Sequence, residues 1–360
     1  MKTRQRAEAL ATAVAKFPLL GKITTNDLLE TLRQELGHPE ILDAFRPYGN
    51  HWSRAQAKAP FLHILSGATP HAALQSLLRG LLLNGKNFLK LPSKGLPEVR
   101  EFIQHLPDEL QRLVETSTEW NPSWPQQAQL ALLFGSDESL LAIRKKLPLR
   151  LPVLEYGHKL SFALIWKDCG GASLPHAAAA ISEFNQQGCL SPQVLYVREN
   201  KNFTARSYAA RLAEAMDAYD KKNPRGSIDV EAAAAIMDTR ANYRFRADSD
   251  PRVQLWTSEG NDHWTVIFEE DPWFVSSCLN RVVFVKPWPE DPAAAFEHVR
   301  EWFASASIFP TQPEFANLLA DLGIPRITSL EKTQFPPFSW HQEGRANLAA
   351  MVEWFDFEQS

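Results

Sequence analysis

Cys189 lies in Phe184-Asn185-Gln186-Gln187-Gly188-Cys189-Leu190-Ser191-Pro192-Gln193, after a helical stretch and before the apolar run Val194 to Val197. A thiol on a loop can be reached by substrate, and as a thiolate it attacks activated carbonyl carbon. Against this stands the common fate of a cysteine outside a disulfide, which is to be a small buried hydrophobe. Cys169 and Cys278 are read in that second way. Gly135-Ser136 follows an apolar strand and opens a helix, a turn that aims backbone N–H groups and a hydroxyl at an anion such as a pyrophosphate. Lys90 stands near the end of the strand Phe88 to Leu91 and projects from its carboxyl end, the usual ligand side of an open α/β sheet. His341 can give or take a proton near neutral pH, although a lone histidine is more often a structural hydrogen-bonder.

The elements that position these groups follow from the apolar periodicity. Residues 2 to about 57 carry helical spacing, with Thr25 or Asn26 as N-cap of the Leu28-Leu29-Leu32 stripe, and form a helical lead-in. A strand Phe61 to Leu65, a helix from Pro70 to about Leu83 and the strand Phe88 to Leu91 make a βαβ unit. Helical stretches near Glu98 to Thr116, a strand Leu130 to Phe134 and a helix to about Leu147 continue the alternation. From Val153 a second α/β unit begins, with a strand to Tyr156, a strand Ser161 to Trp166, a helix Leu174 to about Gln186 and the strand Val194 to Val197. Residues 203 to 242 read as helical, short strands follow to Val285, and Pro287-Trp288-Pro289 turns into a helix through about Ala304. Such alternation predicts parallel sheets covered on both faces.

A chain of 360 residues with 44% apolar and 22% charged composition exceeds one comfortable core, so two domains are expected. A net charge of −4, without a block of like charge, argues against nucleic acid as a partner. No apolar run approaches the ~18 residues of a membrane span, and Glu8 breaks any leader-like stretch at the start, leaving an amphipathic helix as the expectation. Three widely spaced cysteines suggest neither a disulfide framework nor a zinc site, hence a reducing, cytoplasmic compartment and no metal.

Several segments together resemble the aldehyde dehydrogenase superfamily, and within it the acyl-CoA reductases related to the fatty-acid reductase subunit (LuxC) of bacterial luminescence. The likeness is carried by His63-Ile64-Leu65-Ser66-Gly67-Ala68-Thr69-Pro70, the helix with Ser76 and Arg79, Lys90-Leu91-Pro92-Ser93, Phe134-Gly135-Ser136-Asp137, Leu154-Glu155-Tyr156-Gly157-His158-Lys159 and Gly188-Cys189-Leu190-Ser191-Pro192-Gln193. Trp340-His341-Gln342-Glu343-Gly344 is similar to a histidine motif of the narrower family, and the separation of Glu155 from Cys189 (189 − 155 = 34) matches the superfamily.

The resemblance implies an α/β, aldehyde-dehydrogenase-like fold: a Rossmann-type cofactor domain over residues 58–155 and 326–360, and an α/β catalytic domain over 156–325, after the lead-in at 1–57. It implies Cys189 as the nucleophile, its backbone N–H as an oxyanion donor, Glu155 as candidate acid/base, and Lys90 and Ser136 as cofactor contacts. The implied reaction is reduction of an acyl thioester, a fatty acyl-CoA above all, to an aldehyde through a cysteine acyl-enzyme. NADPH is expected before NADH: where NAD-using relatives place an acidic residue on the adenine ribose, this chain has Ser93, followed by Lys94. Ala68 stands where the superfamily usually has an oxyanion-donating asparagine, and Glu269 and Glu270 lack the motif that would mark a nicotinamide-ribose contact. An aldehyde-oxidising dehydrogenase, or a noncatalytic scaffold that binds nucleotide or acyl carrier, stays open as the alternative. A homo-oligomer or an acyl-transferring partner protein is a further expectation.

Overall fold

The computed structural model describes residues 1–65, 70–167 and 169–358. The chain forms two compact units, one of Met1–His158 with Pro337–Ser360 and one of Lys159–Pro336.

The first unit opens with helices Thr3–Ala15 and Thr25–Leu36, whose leucines join its main core. Thr24, one residue before the expected cap, closes a capping box: its hydroxyl accepts from Asp27 N–H, and the Asp27 carboxylate accepts from Thr24 N–H. Helical spacing does not persist to residue 57. Arg46–Tyr48 (β1) and His51–Ala57 (β2) pair as an antiparallel hairpin, because Ser53 and Ala55 point inward while Trp52 and Arg54 stay outside. That is a period of two, which only a strand can satisfy.

Five parallel strands carry the rest of this unit: Phe61–Ile64 (β3), Asn87–Lys90 (β4), Val114–Ser117 (β5), Leu130–Phe134 (β6) and Val153–Tyr156 (β7), in the order β5-β4-β3-β6-β7. β3 and β6 are apolar and buried nearly throughout, as strands covered on both faces must be. β5 falls inside the stretch expected to be helical, and the helices there shrink to Pro97–Gln104 and Asp108–Gln111. Strand order reverses between β3 and β6, and a crevice for ligand opens at the carboxyl edge beside such a reversal.

The second unit is a seven-stranded sheet of Leu160–Ile165 (β8), Val194–Val197 (β9), Val253–Thr257 (β10), Thr265–Glu269 (β11), Val282–Pro287 (β12), Phe303–Phe309 (β13) and Ile327–Ser329 (β14). Its order is β10-β11-β12-β9-β8-β13-β14, all parallel except β10 against β11. Helices Ser173–Ser182 and Ala205–Lys222 cover one face, and Val230–Ser249, Pro292–Phe296 and Pro313–Asp321 the other. The helix expected to reach Ala304 ends at Phe296. β13 takes the next stretch, Phe-Ala-Ser-Ala-Ser-Ile-Phe, where buried Ser305 and Ser307 hid the strand from any apolar count. The last strand, Val352–Phe357 (β15), returns to the first unit and pairs antiparallel with β2.

Candidate functional site

In the first unit, four of the expected residues share one edge of the sheet. Lys90 ends β4, Gly135 and Ser136 follow β6, and Glu155 is the penultimate residue of β7, exposed, with its register partner Leu133 in β6. Ser136 caps the helix Asp137–Arg144, its hydroxyl accepting from Ser139 N–H at 3.3 Å. Gly157 is required beyond β7: a Cβ there would stand 2.5 Å from Asp137 Oδ1, which accepts from His158 N–H. Lys90 reaches the Leu91 carbonyl at 2.7 Å, and exposed Ser93 and Lys94 follow in the next loop. Lys94 and Arg100 line a cleft of about 420 Å³. Glu101 lines the same cleft, and the strand-edge lysine and capped helix start are groups that suit an anion such as a dinucleotide pyrophosphate. Ala68 lies outside the described residues.

His341 is exposed, in a C-terminal segment bound tightly to the same unit. Trp340 Nε1 donates to Gln75 Oε1 (3.2 Å), and Arg79 donates to Gln342 Oε1 (2.8 Å) and Gln75 Oε1 (3.2 Å). Burial pulls Arg79 down to about 10. Arg345 donates to the Glu155 carbonyl (2.8 Å) and to Glu343 (3.0 Å), with its guanidinium over the Tyr156 ring. Glu343 adopts φ +54°, a left-handed conformation that costs a non-glycine residue roughly 1–2 kcal/mol and must be held by such contacts. Arg79 and Glu343 fell within segments that carry the resemblance, whereas Gln75 and Arg345 escaped sequence reasoning. Arginine and glutamine on the otherwise leucine-rich helix Pro70–Leu82 were the available signal.

Cys189 belongs to the second unit and is exposed. Its loop leads into β9, so the thiol stands at the amino edge of that sheet, opposite to the usual ligand edge of an open α/β sheet. The approach is strained: Phe184, Asn185 and Gln186 take φ of +51°, +52° and +62° in succession. Hydrogen bonds hold it there. Ser161 Oγ donates to the Cys189 carbonyl (2.6 Å) and meets Ser305 Oγ (3.1 Å). Fully buried Gln186 donates to the Pro192 carbonyl (2.8 Å), Gln187 to Asn280 (2.8 Å), and Gln334 to both Ser191 Oγ (2.8 Å) and the Ala180 carbonyl (2.7 Å). Arg326 is buried close by, donating to the Thr333 and Lys332 carbonyls. Burial pulls its guanidinium down to about 10.

The other cysteines differ from one another. Cys278 is partly buried, and burial pushes its thiol up, whereas Cys169 is exposed and departs from the expectation of a buried hydrophobe. Glu269 is committed elsewhere, its buried carboxylate accepting from Lys286 (2.7 Å) and Arg246. Among the described residues no helix is long and apolar enough to cross a membrane.

The fold is that of the aldehyde dehydrogenases. Aldehyde dehydrogenase 21 from Physcomitrella patens aligns with a TM-score of 0.68 at 13% identity, covering 99% of this chain and 86% of that one. Succinic semialdehyde dehydrogenase from Streptococcus pyogenes, solved with NADP+, aligns at 0.66 and 12%, covering 99% and 90%. Within that class the chain belongs to the acyl-CoA reductase (LuxC) family, whose model matches residues 2–354. A long-chain acyl-protein thioester reductase from Aliivibrio fischeri is 24% identical over 273 residues, 72% of this chain and 55% of that protein. The chain thus matches little more than half of that relative's length.

Proposed function

We propose that this chain reduces an acyl thioester to an aldehyde through an acyl-enzyme on Cys189, with NADPH used before NADH. The observation that carries the reading is the exposed Cys189 thiol on a strained loop, fixed by Ser161, Gln186 and Gln334. A nucleophile held by its surroundings needs no reorganisation to attack.

The Cys189 thiolate adds to the thioester carbonyl carbon. One carbon–sulfur bond forms as the bond to the carrier breaks, and the carrier leaves as a thiolate that takes a proton. When bound, the reduced nicotinamide supplies hydride to the carbonyl of the enzyme thioester. The oxyanion is steadied by the Cys189 N–H, and its collapse releases aldehyde and returns Cys189 as a thiolate. Reduction in this direction requires no activated water, so Glu155 and His341 serve to carry the proton that the departing carrier needs. Lys90, Gly135 and Ser136 hold the pyrophosphate end of the cofactor, and Ser93 and Lys94 its adenosine ribose. The acyl group is long-chain and its carrier coenzyme A or a protein, the latter favoured by the name of the bacterial relative.

The test is mass spectrometry of the chain after exposure to a long-chain acyl-CoA, and in a parallel arm to an acylated carrier protein, first without and then with NADPH. One acyl mass is expected on the Cys189 peptide, disappearing with release of aldehyde once NADPH is added. An adduct that persists in Cys189→Ala, or is lost in Cys169→Ala, overturns the proposal.

A further inference from the structure

The turn that leads into β12 meets the Cys189 loop at two points. Ser277 N–H donates to Gln193 Oε1 at 2.8 Å, and Asn280 Oδ1 accepts from Gln187 Nε2 at 2.8 Å. Gln187 precedes the thiol and Gln193 follows it, so the turn closes on both sides of Cys189. The turn is left-handed as well: Leu279, Asn280 and Arg281 take φ of +62°, +55° and +66°, as Phe184, Asn185 and Gln186 do in the facing loop. Such runs persist only where neighbouring contacts over-determine them.

The contacts that hold the turn come from elsewhere than the loop. Ser277 Oγ accepts from Leu279 N–H (2.9 Å) and donates to the Val282 carbonyl, and Val282 N–H donates back to the Leu279 carbonyl (3.1 Å). Buried Arg281 donates to Asp220 in the helix Ala205–Lys222 (2.7 Å) and to the carbonyl of its C-cap Asn223 (2.9 Å). Thr239, in the helix Val230–Ser249, donates to Cys278 Sγ at 3.6 Å. The turn is thus anchored to two helices independently of the loop it touches. Asparagine suits position 280 for two reasons. It tolerates left-handed backbone better than most residues, and its amide donates to the Cys278 carbonyl (3.3 Å), which leaves its buried oxygen facing Gln187.

We infer that Asn280 is a positioning residue for the nucleophile: through Gln187 it carries the fixed geometry of the anchored turn into the Cys189 loop, and so sets where the thiol meets an acyl carbonyl. Both side chains are neutral, so their contact places the thiol without ionising it. A displacement of about 1 Å is enough to cost ~10²-fold in rate when attack depends on alignment.

The inference rests on the proposed role of Cys189, and its test separates the two. Gln187→Met removes the donor and leaves the turn intact, Asn280→Gly removes the acceptor and keeps the left-handed backbone, and a third protein carries both changes. Hydrogen–deuterium exchange of the peptide 184–193 needs no substrate. It should quicken about fivefold in each single variant, the equivalent of one hydrogen bond, and no further in the double variant. Single-turnover acyl transfer from palmitoyl-CoA should slow roughly tenfold, with the palmitoyl-CoA concentration for half-maximal rate unchanged and iodoacetamide alkylation of Cys189 not slowed. Unmoved exchange or acyl transfer in Gln187→Met overturns the inference, as does a double variant whose losses multiply, since residues that act through one contact do not add. Quickened exchange in a protein whose wild type takes no acyl group would keep the brace between turn and loop and reject the reductase. An adduct that forms equally fast in all four proteins would do the reverse.

Discussion

His63 makes the stability of the first unit depend on pH. Its imidazole is wholly buried in β3, with Nδ1 2.8 Å from Ser76 Oγ and Nε2 3.0 Å from Asn87 Oδ1. Because the Asn87 oxygen can only accept, Nε2 carries the proton and Nδ1 accepts from the serine, which describes a neutral ring. Burial pushes the histidine from 6.5 down to about 4, against the hydrogen bond to Asn87. Between those values the unfolded chain binds a proton that the folded chain refuses. The histidine's contribution is therefore fully present above about pH 6.5 and lost as pH falls toward about 4. At ~1.4 kcal/mol per pH unit the gap amounts to roughly 3 kcal/mol, of which about 2 kcal/mol is gone by pH 5. Urea unfolding followed by circular dichroism, at pH 7 and pH 5, on the wild type and His63→Gln isolates this share, since titrations common to both proteins cancel. The wild type should lose about 2 kcal/mol more than the variant between the two pH values. Equal losses would refute the assignment of a buried neutral imidazole.

Gly80→Ala should lower the melting temperature, because the new Cβ would lie 2.0 Å from Asn87 Oδ1, the acceptor of the His63 proton. Alanine in a helix interior normally stabilises by ~1 kcal/mol, so a loss of about 1–3 kcal/mol from overpacking reverses the usual sign, and a raised melting temperature would count against the packing described. Arg345→Met releases both the Glu155 carbonyl and Glu343; kcat for thioester reduction should drop about tenfold while Cys189 alkylation stays normal, and an unchanged kcat would deny the C-terminal segment a positioning role. Ser93→Glu should cut kcat/KM with NADPH at least ~10-fold relative to NADH by opposing the ribose phosphate, and steady-state kinetics showing no change would place that phosphate elsewhere.

Much of the framework is legible in local composition. The buried strands around Phe61, Phe88, Leu130 and Val194 announce themselves because a strand covered on both faces must be continuously apolar, which a short window of sequence displays. The motif residues Lys90, Ser136 and Glu155 can be named for a related reason: each sits beside such a strand, so the strand fixes its edge. Strands built on other rules are not legible in this way. β13 is half small and polar because its serines bond to Ser161 and Thr333, partners 144 and 26 residues away, and no local window contains them. β2 turned from expected helix to strand because its alternation acquires meaning only once β15, near the far end of the chain, pairs with it.

Cys189 is legible as a candidate from its loop and motif, yet the features that distinguish it from exposed Cys169 are all tertiary. Three left-handed residues, Ser161 beneath its carbonyl and Gln334 on Ser191 shape its surroundings, and the two hydrogen-bonding residues come from positions 28 and 145 residues away (189 − 161 = 28; 334 − 189 = 145). Local sequence determined that Cys189 stands on a loop, because burial pattern and turn composition are short-range, but it misread the likewise exposed Cys169 as buried. Folding alone decided which thiol is held in place by distant residues, because hydrogen bonds act through space and are indifferent to separation along the chain.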